Sequence, residues 1–310
     1  MLKTMTNAVE LLKETWPAIQ PVVQTIAVPT AIGLLWARFF LRGNIRATEF
    51  EKLKEKKLSE VANQLLEDGH ITYTEYHKWN NSSKIAQKAD EIYRQKNADE
   101  IQEAQGVDRD KLDMDWLIRF LDNAGNISDE QIQDLWAKVL AGEIKSPGTF
   151  SLKFVDTLKN LSKEDGETIQ TLASYAIKPS KNYYLCTEDI LLDKYGYADK
   201  LLTMYDYDII AENAADSYSF SAKKEGVFMS IGSLTCYSHN QTPESFRITM
   251  QRFTKTGSEF IRLVKPNEQY LTDFFSIINN KYPNLNLTLH RGWVINGRAL
   301  SLAPDLLRQE

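Results

Sequence analysis

Residues 127–162 read ISDEQIQDLWAKVLAGEIKSPGTFSLKFVDTLKNLS, a stretch in which helix starts and stops follow one another at short range. Ser128 precedes an acidic turn and a run in which Ile132, Leu135, Trp136, Val139 and Leu140 recur at three- and four-residue spacing. It is expected to cap a helix that buries those five on one face. Gly142 is expected to end that helix, and Ser146-Pro147-Gly148 to turn the chain before Phe150. Leu152, Phe154, Val155, Leu158 and Leu161 open a further apolar face. Ser162 then caps the next helix, with Glu164 and Asp165 near its positive end.

Working outward, Trp116, Phe120 and Leu121 mark one more amphipathic helix. The stretch Gly69-His70-Ile71-Thr72-Tyr73-Thr74-Glu75 echoes Gly125-Asn126-Ile127-Ser128-Asp129-Glu130-Gln131. In each, Gly is expected to close one helix in the left-handed conformation, and Thr or Ser to open the next in a capping box with Glu or Gln three residues on. Earlier still, Phe50, Leu53, Leu58, Val61, Leu65 and Leu66 recur at helical spacing among lysines and glutamates. The run from Lys52 to Lys57 holds four lysines, which reads as a solvated face or a polybasic stretch.

After Lys178-Pro179-Ser180 aromatics increase and the periodicity changes. Ile190–Tyr195 and Ala198–Tyr205 read as short helices, and Asp208-Ile209-Ile210 as the entry to a loop. Val227–Ile231, Leu234–Tyr237 and the alternating run Phe246, Ile248, Met250, Phe253 read as strands. Thr256-Gly257-Ser258 is taken as a break before Phe260–Val264. A helix is expected around Asn267–Tyr282, and Leu285, Leu287 and Leu289 as the inward set of a last strand. The predicted class is α+β: a mainly helical N-terminal and central region, then a smaller α+β domain with a winged-helix-like order of elements. The boundaries are an apolar segment at 1–43, a helical domain at 44–178 and an α+β domain at 179–310.

The segment 1–43 contains an uncharged run of 23 residues, Thr15 to Ala37. Trp16 and Trp36 bracket it, and twenty helical steps separate them by roughly 30 Å, about one hydrocarbon thickness. Indole rings favour both membrane interfaces, and Arg38, Arg42 and Arg46 follow at four-residue spacing, suited to anionic headgroups on the cytoplasmic side. Against a plain span stand Pro17, Pro21, Pro29, Gln20 and Gln24, so a span, a peripheral anchor and a helix packed inside the protein all remain open. Gln20 and Gln24 in an apolar helix also suit association between copies of the chain.

The chain has 310 residues, 37 Lys+Arg against 42 Asp+Glu and a formal net charge of -5, which argues against indiscriminate coating of nucleic acid. Two cysteines, Cys186 and Cys236, exclude a disulfide scaffold and read as small buried hydrophobes. Phosphate-loop, dinucleotide-binding, zinc-protease and serine-hydrolase motifs are absent from the sequence. Glu143-Ile144-Lys145, with Asp134 upstream, matches an E-x-K nuclease fragment, but it lies at a helix end rather than on a strand. His70, His77, His239 and His290 do not form a metal set at ligand spacing. No catalytic residue, metal or cofactor is assigned. In the last third, Arg247, Arg252, Lys255 and Arg291, with aromatics interleaved, offer an alternative nucleic-acid-binding surface.

The string from Ile127 to Ser162 resembles the signature of a bacterial family known as a domain of unknown function, with the pattern I-S-D-E, L-W-A-K, L-A-G-E, P-G-x-F-S. Its first part is also loosely similar to abortive-infection proteins. The resemblance implies a bacterial origin and an antiviral setting, and it transfers no catalytic residue. The expectation that results is a non-enzymatic protein at the cytoplasmic face of the inner membrane, binding anionic lipid and a protein partner or its own copies, in phage defence. The alternative is a cytoplasmic winged-helix-like regulator that binds nucleic acid.

Overall fold

The structure, a computed structural model, describes residues 62–63, 66–69, 71–97, 113–179, 181–211, 216–222, 226–232, 234–238, 244–283, 287–291, 294–295 and 298–299. The chain divides into two compact units, Met1–Asn160 and Leu161–Glu310. The compositional change at Lys178-Pro179-Ser180 thus falls within the second unit. The apolar run Thr15–Ala37 and the helically spaced Phe50, Leu53, Leu58, Val61 and Leu65 lie outside the described residues.

The first unit is helical among its described residues: α1 (Tyr73–Asn97), α2 (Met114–Ala124), α3 (Glu130–Lys145) and α4 (Leu152–Leu158). Helix α1 opens on the expected capping box. Glu75 N–H donates to Thr72 Oγ1 at 3.2 Å, and Thr72 N–H donates to Glu75 Oε2 at 2.7 Å. Gly69 before it is left-handed, at φ 71°. Helix α1 packs on α2 and α3, and α2 on α4. Their shared core includes Trp79, Ile85, Phe120, Leu135, Trp136, Val139, Phe154 and Leu158, all at 4% exposure or less. The rings of Trp116, Phe120 and Trp136 run in series with centroids 5.0 and 4.9 Å apart.

Three expectations for residues 125–145 are corrected. Asp129, not Ser128, caps α3: its Oδ1 accepts from Gln131 N–H at 3.0 Å and Ile132 N–H at 3.1 Å, while Ser128 turns toward α1. Both residue types cap well, and a cross-helix partner decides between them. Gly125 is right-handed, at φ -59°. Its role is close approach, because a Cβ there would meet Lys78 Cβ at 3.0 Å and Lys78 O at 3.1 Å. Gly142 does not end α3, which runs to Lys145. A Cβ at 142 would sit 2.8 Å from Phe150 Cε2, so glycine lets the Phe150 ring lie against the helix. The 146–149 turn forms as expected, with Gly148 at φ 84°.

The second unit is α+β. Helix α5 (Lys163–Ser174) is capped by Ser162, whose Oγ accepts from Asp165 N–H at 3.1 Å, as expected. There follow β1 (Tyr184–Cys186), α6 (Asp189–Tyr195), α7 (Leu201–Asp206), β2 (Asp216–Ala222), β3 (Gly226–Ile231), β4 (Leu234–Ser238), β5 (Glu244–Arg252), α8 (Lys255–Ile261), α9 (Glu268–Lys281), β6 (Leu287–Arg291) and a short pair, β7 (Val294–Ile295) with β8 (Arg298–Ala299). Two antiparallel three-stranded sheets result, in the orders β1-β5-β2 and β3-β4-β6. In the first, Cys186 pairs with Met250 and Tyr218 with Ile248; in the second, Cys236 pairs with Leu289.

The expected break at Thr256-Gly257-Ser258 is instead the first turn of α8. Thr254 Oγ1 accepts from Gly257 N–H at 3.0 Å and donates to Asp208 O at 2.6 Å, which converts a strand end into a helix start. Strand β2 was not expected. Its alternation sets serine against aromatic residues inside an acidic stretch, and its partner β5 lies far along the chain.

Candidate functional site

Several polar residues of the 127–162 stretch have structural partners. Glu143 is 1% exposed, and its carboxylate accepts from Gly148 N–H at 2.5 Å and Phe150 N–H at 2.9 Å. One buried side chain thereby satisfies two amides of the turn that follows α3. Gln133 Nε2 donates to Ile127 O at 2.9 Å, and Asp134 pairs with Lys88 at 2.6 Å. Ser151 caps α4 by accepting from Phe154 N–H at 3.2 Å. The E-x-K fragment is accordingly a turn clamp: Glu143 is committed to backbone amides, whereas a nuclease would need it facing a metal ion and substrate.

In the second unit four tyrosines gather from distant positions. The rings of Tyr175 and Tyr270 stack at 4.6 Å, and Tyr195 meets Tyr270 edge-on at 5.1 Å. Tyr197 follows Gly196, whose φ of 59° gives α6 a left-handed end. The Tyr197 hydroxyl lies 2.8 Å from that of Tyr270 and donates to Cys186 O at 2.5 Å. Burial pushes the Tyr197 and Tyr270 phenols well above their ordinary range, so both stay protonated as donors.

At the edge of this cluster Asp273 receives three partners. Tyr195 O–H donates to Oδ2 at 2.6 Å, Lys194 Nζ lies 2.6 Å from the same oxygen, and Gln269 Nε2 donates to Oδ1 at 3.2 Å. Burial alone would raise the Asp273 carboxyl, but the bonds from Lys194, Tyr195 and Gln269 outweigh it and hold the group below its ordinary range. Glu188 behaves alike: burial opposes ionisation, while Thr249 N–H at 2.8 Å and Lys281 at 3.1 Å carry it downward. For Asp165 the hydrogen bond with Ser162 leads, burial works against it, and Tyr207 adds to the lowering.

All three carboxylates titrate lower folded than unfolded. Their contribution is therefore present above the unfolded pKa, near 4, and is lost as pH falls through the folded values. Urea unfolding of the second unit is expected to shift to lower midpoint between pH 7 and pH 3, and an Asp273→Asn chain to show a shallower shift. Equal pH dependence in the two chains would count against this role for Asp273.

Trp16, Trp36, Arg38, Arg42 and Arg46 lie outside the described residues. Arg247, Arg252, Lys255 and Arg291 are all exposed. Arg247 and Arg252 are five residues apart on β5 and so project from opposite faces of the sheet. Lys255 begins α8, and Arg291, on the other sheet, lies 3.1 Å from Glu268. The fold does not collect the four on one face. Cys186 and Cys236 are free and buried; burial pushes the Cys186 thiol up to about 12, the reverse of what a nucleophile needs. Among the described residues no group of three or more His, Cys, Asp or Glu is placed to hold a metal ion. The tyrosine cluster was missed by sequence reasoning because its members, Tyr175 to Tyr270, share no local spacing.

A family model matches residues 82–275, more than half of the chain, and the chain belongs to that family, described as protein of unknown function (DUF2806). The matched segment covers α2 to α8 and most of α1 and α9, and thus includes both the signature turn and the tyrosine cluster. No curated protein and no solved structure matches the chain.

Proposed function

We propose that the chain is a non-enzymatic, membrane-associated bacterial protein, bound at the cytoplasmic face of the inner membrane through residues 1–43. The observation that carries this reading is the uncharged run Thr15–Ala37, bracketed by Trp16 and Trp36 and followed by Arg38, Arg42 and Arg46. The partner is anionic lipid, with Gln20 and Gln24 suited to self-association. Phage defence is the biological setting, by the likeness of Ile127–Leu140 to abortive-infection proteins. The non-enzymatic part is supported by Glu143, Asp273 and Glu188, whose carboxylates are each engaged by backbone amides or neighbouring side chains. Among the described residues no helix is long and apolar enough to cross a membrane, and Thr15–Ala37 is not among those residues.

Expressed in bacteria, the full chain is expected in the membrane fraction, with a chain lacking residues 1–43 moving to the soluble fraction. A full chain recovered wholly soluble without detergent would contradict the reading.

The second reading, a winged-helix-like regulator that binds nucleic acid, is favoured by the exposure of Arg247, Arg252 and Lys255 around the β5–α8 junction. It requires binding that weakens steeply with salt and falls on Arg252→Glu. The opposite-face placement of Arg247 and Arg252 and the pairing of Arg291 make it the weaker of the two.

A further inference from the structure

Ser128 opens the family-like signature yet leaves the capping of α3 to Asp129, and its hydroxyl is directed elsewhere. Ser128 Oγ lies 3.2 Å from His77 Nε2 and 3.4 Å from Asn81 Nδ2. Asn81 is 3% exposed, and the same Nδ2 donates to Gly125 O at 3.0 Å, which fixes the orientation of the amide. The Asn81 amide donates to Ser128 Oγ, and in the His77 tautomer whose Nε2 carries no hydrogen the serine O–H donates to that nitrogen. Asn81 thus holds Ser128 Oγ in place, within hydrogen-bond reach of an imidazole nitrogen that can take its proton. Both Ser128 and His77 are exposed, so a reagent reaches them, and the Tyr73 ring lies nearly parallel to the imidazole at 11°.

From this geometry we infer that Ser128 is an acyl-accepting serine, with His77 as its proton acceptor and carboxylic esters or thioesters with good leaving groups as its acyl donors. As Oγ bonds to the acyl carbon, the hydroxyl proton passes to His77 Nε2. The bond from that carbon to the leaving oxygen or sulfur breaks with its electron pair, and the leaving group takes the proton from His77. The acyl group is expected to persist on the serine. Asp129 already occupies the N–H groups of Gln131 and Ile132, donors at this helix end that could otherwise stabilise the oxyanion of either step, so only a donor with a good leaving group acylates the serine, and the resulting alkyl ester, which lacks one, hydrolyses slowly. The site is thus one of covalent modification rather than turnover, compatible with a non-enzymatic protein but independent of membrane binding.

The test treats the full chain with p-nitrophenyl acetate and follows acetylation of individual serines by peptide mass spectrometry. Ser276, exposed and bonded through its hydroxyl to Thr272 O, serves as the internal comparison. Ser128 is expected to acetylate at least ~10-fold faster than Ser276, and a His77→Gln chain to lose about that factor at Ser128 alone. Equal rates at the two serines, a Ser128 rate indifferent to His77→Gln, or acetyl groups resting on His77 without transfer to Ser128 would each overturn the proposal. The within-chain comparison of Ser128 with Ser276 stands even if the variant folds poorly.

Discussion

A Gly257→Ala chain is expected to lose more than about 3 kcal/mol of stability in its second unit, or not to be recovered folded. Gly257 sits in the first turn of α8, where a Cβ would overlap the Ile209 carbonyl oxygen and crowd Phe253 Cδ1 at 2.9 Å. Neither neighbour can yield. The Ile209 carbonyl accepts from Thr254 N–H at 2.9 Å, Ile210 bridges to Phe253, and Phe253 is 3% exposed. The preceding Asp208 already has φ 52°, so the loop has little slack with which to retreat. Ser258→Ala, one residue on, removes only a hydroxyl bonded to Thr254 O and is expected to change stability by less than about 0.5 kcal/mol. Urea unfolding followed by far-ultraviolet circular dichroism, with hydrogen exchange of the β5 and α8 amides, separates the two. A Gly257→Ala chain as stable as Ser258→Ala would show that this packing is misread.

Removing the turn clamp comes second in size. Glu143→Ala leaves the buried amide of Phe150 and the part-buried amide of Gly148 without their acceptor and is expected to cost about 2–4 kcal/mol. Glu143→Gln keeps one acceptor oxygen and should recover part of the loss. By contrast, Asp134→Ala removes an exposed pairing with Lys88 and should cost less than about 1 kcal/mol. Hydrogen exchange of the Gly148 and Phe150 amides during urea unfolding reports this region directly. A Glu143→Ala chain with the wild-type midpoint would return Glu143 to the roster of residues available for chemistry.

These two positions also mark where sequence reasoning stops. Helix starts are legible when the capping group and the amides it satisfies lie within three residues, as at Thr72 and Ser162. The choice between Ser128 and Asp129 was not legible, because the deciding partner, His77, lies 51 positions away. Gly125 and Gly142 read as helix ends and Gly257 as a break after a strand, yet each occupies a helical or right-handed position where a neighbour presses against the backbone. Strand β2 escaped because its sheet partner β5, and not its own composition, makes it a strand. The α+β class was legible from the change in periodicity along the chain, and the antiparallel pairing of β3 with β4 agrees with two adjacent alternating runs. For the site the division is sharper. The proposed membrane-binding residues were read from local spacing, whereas the tyrosine cluster with Asp273 and the Asn81–Ser128–His77 chain depend on long-range contacts.

Flotation of the purified full chain on vesicles of zwitterionic lipid, with and without about one-third anionic lipid, measures membrane association directly. The account predicts that the chain rises with the vesicles, more completely with anionic lipid, and that its tryptophan fluorescence shifts to the blue less in a chain with Trp16→Phe and Trp36→Phe. It predicts that a chain lacking residues 1–43 stays at the bottom of the gradient. A full chain that remains at the bottom with both kinds of vesicle, or a truncated chain that floats equally well, would contradict it.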